Sequence, residues 1–173
     1  MDKKIEINEL PKIPGLLTLP LRFVPPVIHN TALVTALNRI FTDALQEGEL
    51  DFLRRRVLLI RVQDAQLGFC LTLIGDRLVA CNHRRTYDLV IEGTAYDFLL
   101  LATRREDSDT LFFNRRLRLS GDTQLGLYLK NFLDALEPEE QLGPVFKRLE
   151  QMTSLFEQVG KFQSLTRGIR MKN

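Results

Sequence analysis

The segment Asp107–Leu136 constrains the fold of this chain most strongly, because a short polar strand runs through a Gly-Asp turn into an amphipathic helix. In the strand, Leu117 and Leu119 alternate with polar residues, so one face is apolar and the other faces solvent. Gly121 permits a sharp turn, and Asp122 can accept hydrogen bonds from the first free amides of the helix. The helix carries apolar residues at spacings of three and four: Leu125, Tyr128, Leu129, Phe132, Leu133 and Leu136. This pattern predicts a helix that lies on an apolar partner.

Four further strand patterns precede this segment. Alternation of apolar and polar residues predicts strands at 57–63, 67–74, 77–82 and 87–92. The Gly75-Asp76 pair marks a two-residue hairpin turn, so the first three strands are expected to form an antiparallel meander. A helix from Thr94 to Arg104 follows the fourth strand and is apolar nearly all round. It therefore needs a second apolar partner besides the sheet.

The ends of the chain differ from this α+β centre. Residues 1–26 form a Pro-rich apolar arm, and a helix is expected from Pro26 to a close at Gly48. A last helix is expected to begin at Pro144. Basic residues accumulate in a flexible tail at 166–173. The sequence thus predicts an arm at 1–26, one domain at 27–165 and a tail at 166–173.

The charge balance excludes a general attraction to nucleic acid. The 173 residues carry 24 basic and 22 acidic side chains, a net charge of +2, whereas phosphate binding needs a clear basic excess. The N-terminus lacks a secretory signal pattern, and no apolar run reaches about 18 residues, the length that a membrane-spanning helix needs. We therefore expect a cytoplasmic protein whose membrane contact, at the inner membrane, is at most peripheral.

Arginine clusters leave two interpretations open. They lie at 54–56, 84–85, 104–105 and 115–118. The favoured interpretation is a solvated face paired with nearby acids such as Asp51, Asp88 and Glu106. Docking on anionic lipid head groups is the alternative, because guanidinium groups match phosphate oxygens.

Cys70 and Cys81 are placed opposite each other if the Gly75-Asp76 turn has two residues. Cross-strand Cβ atoms lie about 5 Å apart, slightly far for a relaxed disulfide, and cytoplasmic thiols stay reduced. The favoured interpretation is two small buried side chains, with a redox pair as the alternative.

The residues that catalysis requires are missing. Only His29 and His83 could serve as an imidazole base, and no G-x-S-x-G elbow is present. The two cysteines lack a neighbouring histidine for a metal site. Neither a G-x-G-x-x-G pattern nor a P-loop offers a cradle for a nucleotide. The sequence therefore predicts a protein that is not an enzyme and needs no cofactor or metal.

The stretches DLVIEGTAYDFLLLA and DTLFFNRRLRLSGDTQLGLYLKNFLDAL resemble the sterol carrier protein type 2 (SCP-2) domain family, over about Leu50–Leu136. The family pattern is filled here by Asp88, Gly93, Phe112, Leu117, Leu119, Gly121, Asp122, Leu125 and Leu129. The resemblance implies an α+β fold with a five-stranded mixed, largely antiparallel sheet. Helices would cover one face and enclose a hydrophobic lipid tunnel, and the N-terminal arm and helix would be additions.

The block Asp109–Asn131 is similar, more narrowly, to bacterial accessory factors of ubiquinone biosynthesis that carry such a domain. This resemblance implies binding of prenylated quinone precursors or membrane lipid for oxygen-independent ubiquinone synthesis. It also implies partners among peptidase-like iron–sulfur hydroxylase proteins and other proteins of the pathway. The tail after Glu157 does not align with them.

We expect a non-catalytic lipid carrier whose ligand lies between the sheet and the helices. The predicted lining residues are Leu58, Ile60, Val62, Leu71, Leu73, Leu89, Ile91, Phe98, Leu99, Phe112, Leu125, Leu129, Phe132 and Leu133. The alternative is a scaffold with a fully packed core, whose apolar arm, here Leu16–Val34, docks on a membrane or a partner. Burial of that arm in a homodimer is a variant of the alternative.

Overall fold

Helices and strands follow one another in the predicted order. The computed structural model describes residues 26–81, 86–136, 146–155 and 158. The elements are α1 (Pro26–Ile40), α2 (Thr42–Gln46), a 3-10 turn (Asp51–Leu53), β1 (Leu58–Val62), β2 (Leu67–Ile74), β3 (Arg77–Ala80), β4 (Leu89–Gly93), α3 (Ala95–Ala102), α4 (Ser108–Phe113), β5 (Arg118–Gly121) and α5 (Thr123–Ala135). Residues 146–155 are also helical. The predicted arm before Pro26 and the basic tail at 166–173 lie outside the described residues.

The five strands form one mixed sheet in the order β3-β2-β1-β4-β5. β1 pairs with β4 in parallel, and the other neighbouring strands pair antiparallel. Leu58 lies opposite both Leu71 and Leu89, so the centre of the sheet presents a row of leucines on one face. The predicted fold class is confirmed.

The hairpin between β2 and β3 has the predicted two-residue turn. Ile74 pairs with Arg77, which leaves Gly75 and Asp76 as the loop. Gly75 has φ of +60°, the left-handed conformation that such turns require. The register therefore follows from local turn chemistry.

The helix expected from Pro26 to Gly48 is broken, which corrects the prediction. α1 ends at Ile40, and α2 begins at Thr42. The Thr42 hydroxyl donates to the carbonyls of Asn38 and Arg39, competing with the helical bonding pattern. Phe41, at the break, packs edge-on against Phe132 with ring centroids 5.3 Å apart. Tertiary packing of this ring accompanies the change of direction.

Cys70 and Cys81 are joined by a disulfide, so the favoured expectation of two reduced thiols is wrong for this structure. The hairpin register brings their Cα atoms to 5.1 Å, inside the range that disulfides adopt. The amide of Cys81 donates to the carbonyl of Cys70 at 2.9 Å. Cys70 is fully buried.

α1 covers the outer edge of β3 through one asparagine. The side-chain oxygen of Asn38 accepts from the amide of Leu78 at 2.9 Å, and its nitrogen donates to the Leu78 carbonyl at 2.7 Å. Asn30, eight residues earlier on α1, donates to the carbonyls of Cys70 and Cys81. Backbone hydrogen-bonding groups at this edge of the sheet are thus bonded to the side-chain amides of α1.

A second, smaller apolar cluster lies at the carboxyl end of β4. It consists of Tyr96, Leu100, Leu111 and Leu117, with Phe98, Leu101 and Phe112 packed against it. On α3, Tyr96 and Leu100 are buried in this cluster, while Leu99 is partly exposed. Phe98 and Phe112 also contact the main core, so the two clusters are continuous.

Candidate functional site

The predicted lining residues converge on one apolar cluster between the sheet and α5. All of them except Val62 and Leu99 are either buried in this cluster or packed against it. Val62 instead lines a surface pocket beside the β1–β2 turn. Leu99 belongs to neither apolar cluster. The sequence pattern thus identified residues that meet in space, although it could not show whether a ligand lies among them.

The cluster is closed. Leu71 and Leu73 are 2% exposed, and Leu89 is 1% exposed. Leu125 and Leu129, one turn apart on α5, are buried in the same cluster. A lipid tail that enters between the sheet and α5 must therefore displace some of these contacts.

Aromatic rings anchor α5 from Tyr128 onward. Phe132 packs against Phe41, and Phe52 lies 6.3 Å from Phe132 and 6.1 Å from Tyr128 between ring centroids. Such pairs contribute about 0.5–1.5 kcal/mol each beyond their buried area. None of the described ring pairs involves residues 123–127 of the helix, where Leu125 supplies the buried contact with the core.

A surface pocket of about 310 Å³ opens between β5 and the first half of α5. This entrance pocket is lined by Leu89, Leu119, Ser120, Gly121, Asp122, Thr123, Gly126, Leu127 and Lys130. Its floor reaches the main core, because Leu89 belongs to that cluster. A Cβ on Gly126 would lie 3.6 Å from Leu89 Cδ1 and 3.7 Å from Leu119 Cδ1. The missing side chain keeps this gap open.

Lys130 stands at the rim of the entrance pocket. Its Nζ is ion-paired with Asp109 on α4 and lies 3.8 Å from a carboxylate oxygen of Asp134. The hydrogen bond with Asp109 raises the pKa of Lys130 above its ordinary value. A second pocket of about 490 Å³ shares the lysine and is lined by Asp109, Thr110, Phe112, Phe113 and Lys130. Lys130 is thus the cation common to both openings.

Apolar side chains surround this lysine on the surface. Phe113 is 89% exposed and Leu127 is 55% exposed. Sequence reasoning did not single out Leu127, Gly126 or Lys130 as site residues. A glycine inside a helix, which costs about 1 kcal/mol relative to alanine, was a usable signal of close packing. The contact between Lys130 and Asp109 joins two elements, and the sequence carried no signal for it.

Most of the described arginine clusters pair with the acids that the sequence analysis named. Arg54 binds Asp51 at 2.6 Å, and Arg56 binds Asp88 at 3.0 Å. Arg116 binds Glu106 at 2.5 Å. The interpretation as paired surface charge is confirmed for Arg54 and Arg56, whereas Arg116 is paired but mostly buried, and the cluster at 84–85 lies outside the described residues.

A buried ion pair holds the start of α3 against the approach to β5. Asp97, 2% exposed, accepts from the guanidinium of Arg116 at 2.7 Å. Its second oxygen accepts from the backbone amide of Thr94 at 3.0 Å and from the Thr94 hydroxyl at 2.6 Å, which completes a capping box. The guanidinium also lies 5.8 Å from the centre of the Tyr96 ring. Because all of these groups are engaged with one another, we assign them a structural role.

Within 26–81, 86–136 and 146–155, no group of three His, Cys, Asp or Glu side chains could hold a metal ion. Over the same ranges, no helix has the length and apolar character needed to cross a bilayer. His29 packs edge-on against Phe69 at 5.5 Å, and His83 lies outside the described residues.

Comparison with known proteins agrees with the sheet, the helices and the apolar cluster. Residues 35–134 match the SCP-2 sterol transfer family. A solved structure described as a UbiJ-SCP2 ubiquinone synthesis protein shares the fold, with a TM-score of 0.52 and 16% identity over 64% of this chain and 96% of that one. The chain therefore belongs to the SCP-2 sterol transfer family.

Within that family the chain is a homologue of UbiT. It is 38% identical over 144 residues to the ubiquinone biosynthesis accessory factor UbiT of Escherichia coli strain K12, covering 83% of this chain and 82% of that protein. UbiT of Escherichia coli O157:H7 has the same identity to this chain and the same coverage of both sequences. The resemblance drawn from the sequence is thus confirmed both for the SCP-2 family and for the accessory factors of ubiquinone biosynthesis within it.

Proposed function

We propose that this protein is a non-catalytic lipid-binding accessory factor of ubiquinone biosynthesis. The observation that carries the proposal is the apolar cluster between the sheet and α5, with a surface pocket whose floor reaches it at Leu89. Burial of an apolar tail there contributes about 25 cal/mol per Å² of surface removed from water. Homology to UbiT supports the choice of pathway.

The ligand in this proposal is a polyprenylated ubiquinone precursor, with phospholipid as the alternative occupant. The pathway is the oxygen-independent one, and the partners are peptidase-like iron–sulfur hydroxylase proteins and other ubiquinone-biosynthesis proteins. The protein would act in the cytoplasm, with peripheral contact at the inner membrane. Chemistry on the ring would be done by those partners, while this chain keeps the prenyl tail out of water.

Loading requires α5 to separate from the sheet on one side. The aromatic rings hold the helix from Tyr128 onward, whereas the preceding turn contributes Leu125 to the core and no side chain at Gly126. A tail that inserts below Gly126 replaces part of the packing of Leu89 and Leu125 in the main cluster with contacts to itself. The apolar area lost between protein side chains is thereby recovered against the ligand.

The test is organic extraction of the purified full-length protein followed by mass spectrometry. Recovery of quinone precursor or lipid is expected. Leu129→Phe, which fills the cluster, should lower the recovery, whereas Met152→Phe enlarges a side chain that is 48% exposed and should leave it unchanged. Lipid-free protein from repeated preparations that also fails to take up an added prenylated phenol contradicts the proposal.

The closure of the cluster favours a second candidate function, a scaffold with a fully packed core that docks on a membrane or a partner. The apolar arm at 16–34, which would carry the docking in that case, lies outside the described residues up to residue 25, and its remainder belongs to α1, where Val34 is buried in the core. Liposome flotation of the full chain and of a version lacking residues 1–26 separates the two candidates. A scaffold loses flotation on truncation and yields no lipid, while a carrier keeps its ligand.

A further inference from the structure

Resting on the proposed function for its ligand, we infer that the Cys70–Cys81 disulfide is a redox-active site that exchanges with a dithiol reductant and thereby controls α1. In the oxidised protein the N-terminal half of α1 is locked on the β2–β3 hairpin, and reduction releases it. The apolar cluster described above is therefore loaded more readily in the reduced protein.

The disulfide ties the open end of the β2–β3 hairpin. β3 ends at Ala80, and beyond it the disulfide and the backbone bond from the Cys81 amide to the Cys70 carbonyl hold the two strands together. The bridged residues are 11 positions apart. A disulfide that closes so short a loop adds less stability than one that closes a long loop. Reduction should therefore loosen this end of the hairpin while the rest of the domain stays folded.

Asn30 connects this end of the hairpin to α1. Its Nδ2 atom donates to the carbonyl of Cys70 at 3.0 Å and to the carbonyl of Cys81 at 3.3 Å. One nitrogen can serve both carbonyls only while the two strands keep a fixed spacing, which the disulfide ensures. Asn30 is buried, and within the described part of the chain its Oδ1 atom has no hydrogen-bond partner. The two cysteine carbonyls therefore offset the burial of this amide, and their separation favours its return to water.

α1 carries this change to the apolar cluster. Val34 follows Asn30 by four residues, so the two lie on the same face of the helix. Val34 is buried in the main cluster together with Leu125 and Leu129 of α5. When the N-terminal half of α1 moves outward, Val34 leaves this packing. A lipid tail that enters beside α5 then has fewer contacts to displace.

Asn38 supplies a second attachment of α1 that does not depend on the cysteines. Its side chain bonds to both the amide and the carbonyl of Leu78. Leu78 pairs with Leu73 inside the regular ladder of the hairpin, away from the disulfide. The C-terminal half of α1 therefore stays in place and acts as the hinge, and the movement is confined to the N-terminal half.

The chemistry of the site is a two-electron thiol–disulfide exchange. Cys70 is fully buried whereas Cys81 is partly exposed, so a thiolate of the reductant attacks the sulfur of Cys81. The bond between the two protein sulfurs breaks, and Cys70 leaves as a thiolate that takes up a proton. The second thiol of the reductant loses its proton and attacks the mixed disulfide, which frees Cys81 as a thiol and leaves the reductant as a disulfide. Two electrons and two protons thus pass from the dithiol to the protein. In the cytoplasmic setting proposed above, a disulfide is usually transient and redox-sensing.

The experiment compares the full-length protein after oxidation with glutathione disulfide and after reduction with dithiothreitol. The chain contains two cysteines, so thiol counting with Ellman's reagent reports on this pair directly. Both thiols should appear on reduction under native conditions and disappear on reoxidation. In hydrogen–deuterium exchange followed by mass spectrometry, peptides from 28–36 should exchange about tenfold faster after reduction, as expected for lost bonds to one buried amide. Peptides from β4 should change less than about twofold, because the sheet stays folded.

Variants assign the effect to Asn30. Asn30→Ala should give fast exchange of residues 28–36 in both redox states, while the cysteines can still be oxidised and reduced. Asn38→Ala is the matched control on the same helix: it should raise exchange in α1 but keep the difference between the oxidised and reduced protein. Cys70→Ala combined with Cys81→Ala should reproduce the reduced form in either buffer.

Uptake of an added prenylated phenol, measured by extraction and mass spectrometry at successive times, should be about tenfold faster in the reduced protein, because it requires the same opening of α1. The inference is refuted if glutathione disulfide does not form the bond, if dithiothreitol cannot reduce it in the folded protein, or if reduction leaves exchange of α1 or uptake unchanged. In each of these cases the lipid carrier stands. If neither redox form takes up the phenol, the lipid carrier itself fails, and thiol counting and exchange still decide whether the cysteines control α1.

Discussion

Gly121→Ala should be among the most destabilising single-methyl changes in this protein. Gly121 joins β5 to α5 with φ of +117°, and an added Cβ would lie 2.3 Å from the carbonyl oxygen of Asp88. An ordinary carbon–oxygen contact is about 3.3 Å, so β4 or β5 must shift by about 1 Å. That shift strains the bond from the Asp122 amide to the same oxygen, 2.8 Å long, and the pairing of Leu89 with Gly121.

Two costs add up to the expected loss in the free energy of unfolding of Gly121→Ala. The left-handed backbone costs a non-glycine residue about 1–2 kcal/mol, and forced overpacking costs about 1–3 kcal/mol. The sum is about 2–5 kcal/mol, and at about 2–4 °C per kcal/mol for a chain of this size the midpoint of thermal unfolding should fall by roughly 10 °C.

Gly75→Ala is the matched control. Gly75 also has positive φ, +60°, but a Cβ there would meet nothing within 4 Å. Only the backbone term applies, so a loss of about 1 kcal/mol is expected. Urea unfolding followed by circular dichroism measures both variants. If Gly121→Ala is no less stable than Gly75→Ala, the close approach of Gly121 to β4 does not govern the turn, and the reasoning is refuted.

Three further changes test other contacts. Asp97→Ala should lower the free energy of unfolding by about 1–3 kcal/mol because it removes the buried acceptor of Arg116 and leaves Glu106 as the carboxylate paired with that guanidinium, and adding Arg116→Met should restore part of the loss in chemical denaturation. Gly126→Ala should raise the thermal midpoint, since alanine favours the helix by about 1 kcal/mol and its Cβ makes ordinary contacts, while it slows ligand uptake in stopped-flow fluorescence. Asp109→Asn should lower the pKa of Lys130 toward its ordinary value in a ¹⁵N NMR titration. The same raised pKa means that the ion pair stabilises the fold below about pH 10 and that this contribution is lost as pH rises through the folded-state pKa.

Local signals predicted the β2–β3 hairpin and the amphipathic helix α5 correctly. The Gly75-Asp76 pair set the register of β2 and β3, and Asp122 caps α5 where the sequence placed it. Both features depend on side chains within a few residues of the backbone that they shape. The pairing of acids with arginines was also predictable where partners lie close in sequence, as in Arg54 with Asp51.

Features that depend on distant residues were not predictable from periodicity. The break at Phe41 accompanies packing against Phe132, ninety-one positions later in a different helix. The burial of Asp97 on α3 goes with its ion pair to Arg116, against the usual preference of a carboxylate for the surface. The entrance pocket depends on how α5 crosses β4 and β5, and the sequence pattern shows only that α5 has an apolar face.

The two hydrogen bonds from Asn38 to Leu78 also limit how this protein can assemble. An open edge strand is a template on which other chains add strands. Among the described strands, β3 and β5 are the two edges, and Asn38 occupies the outward amide and carbonyl of Leu78 on the first. Extension of the sheet by a second copy or a partner strand is therefore less hindered at β5, which borders the surface pocket beside α5.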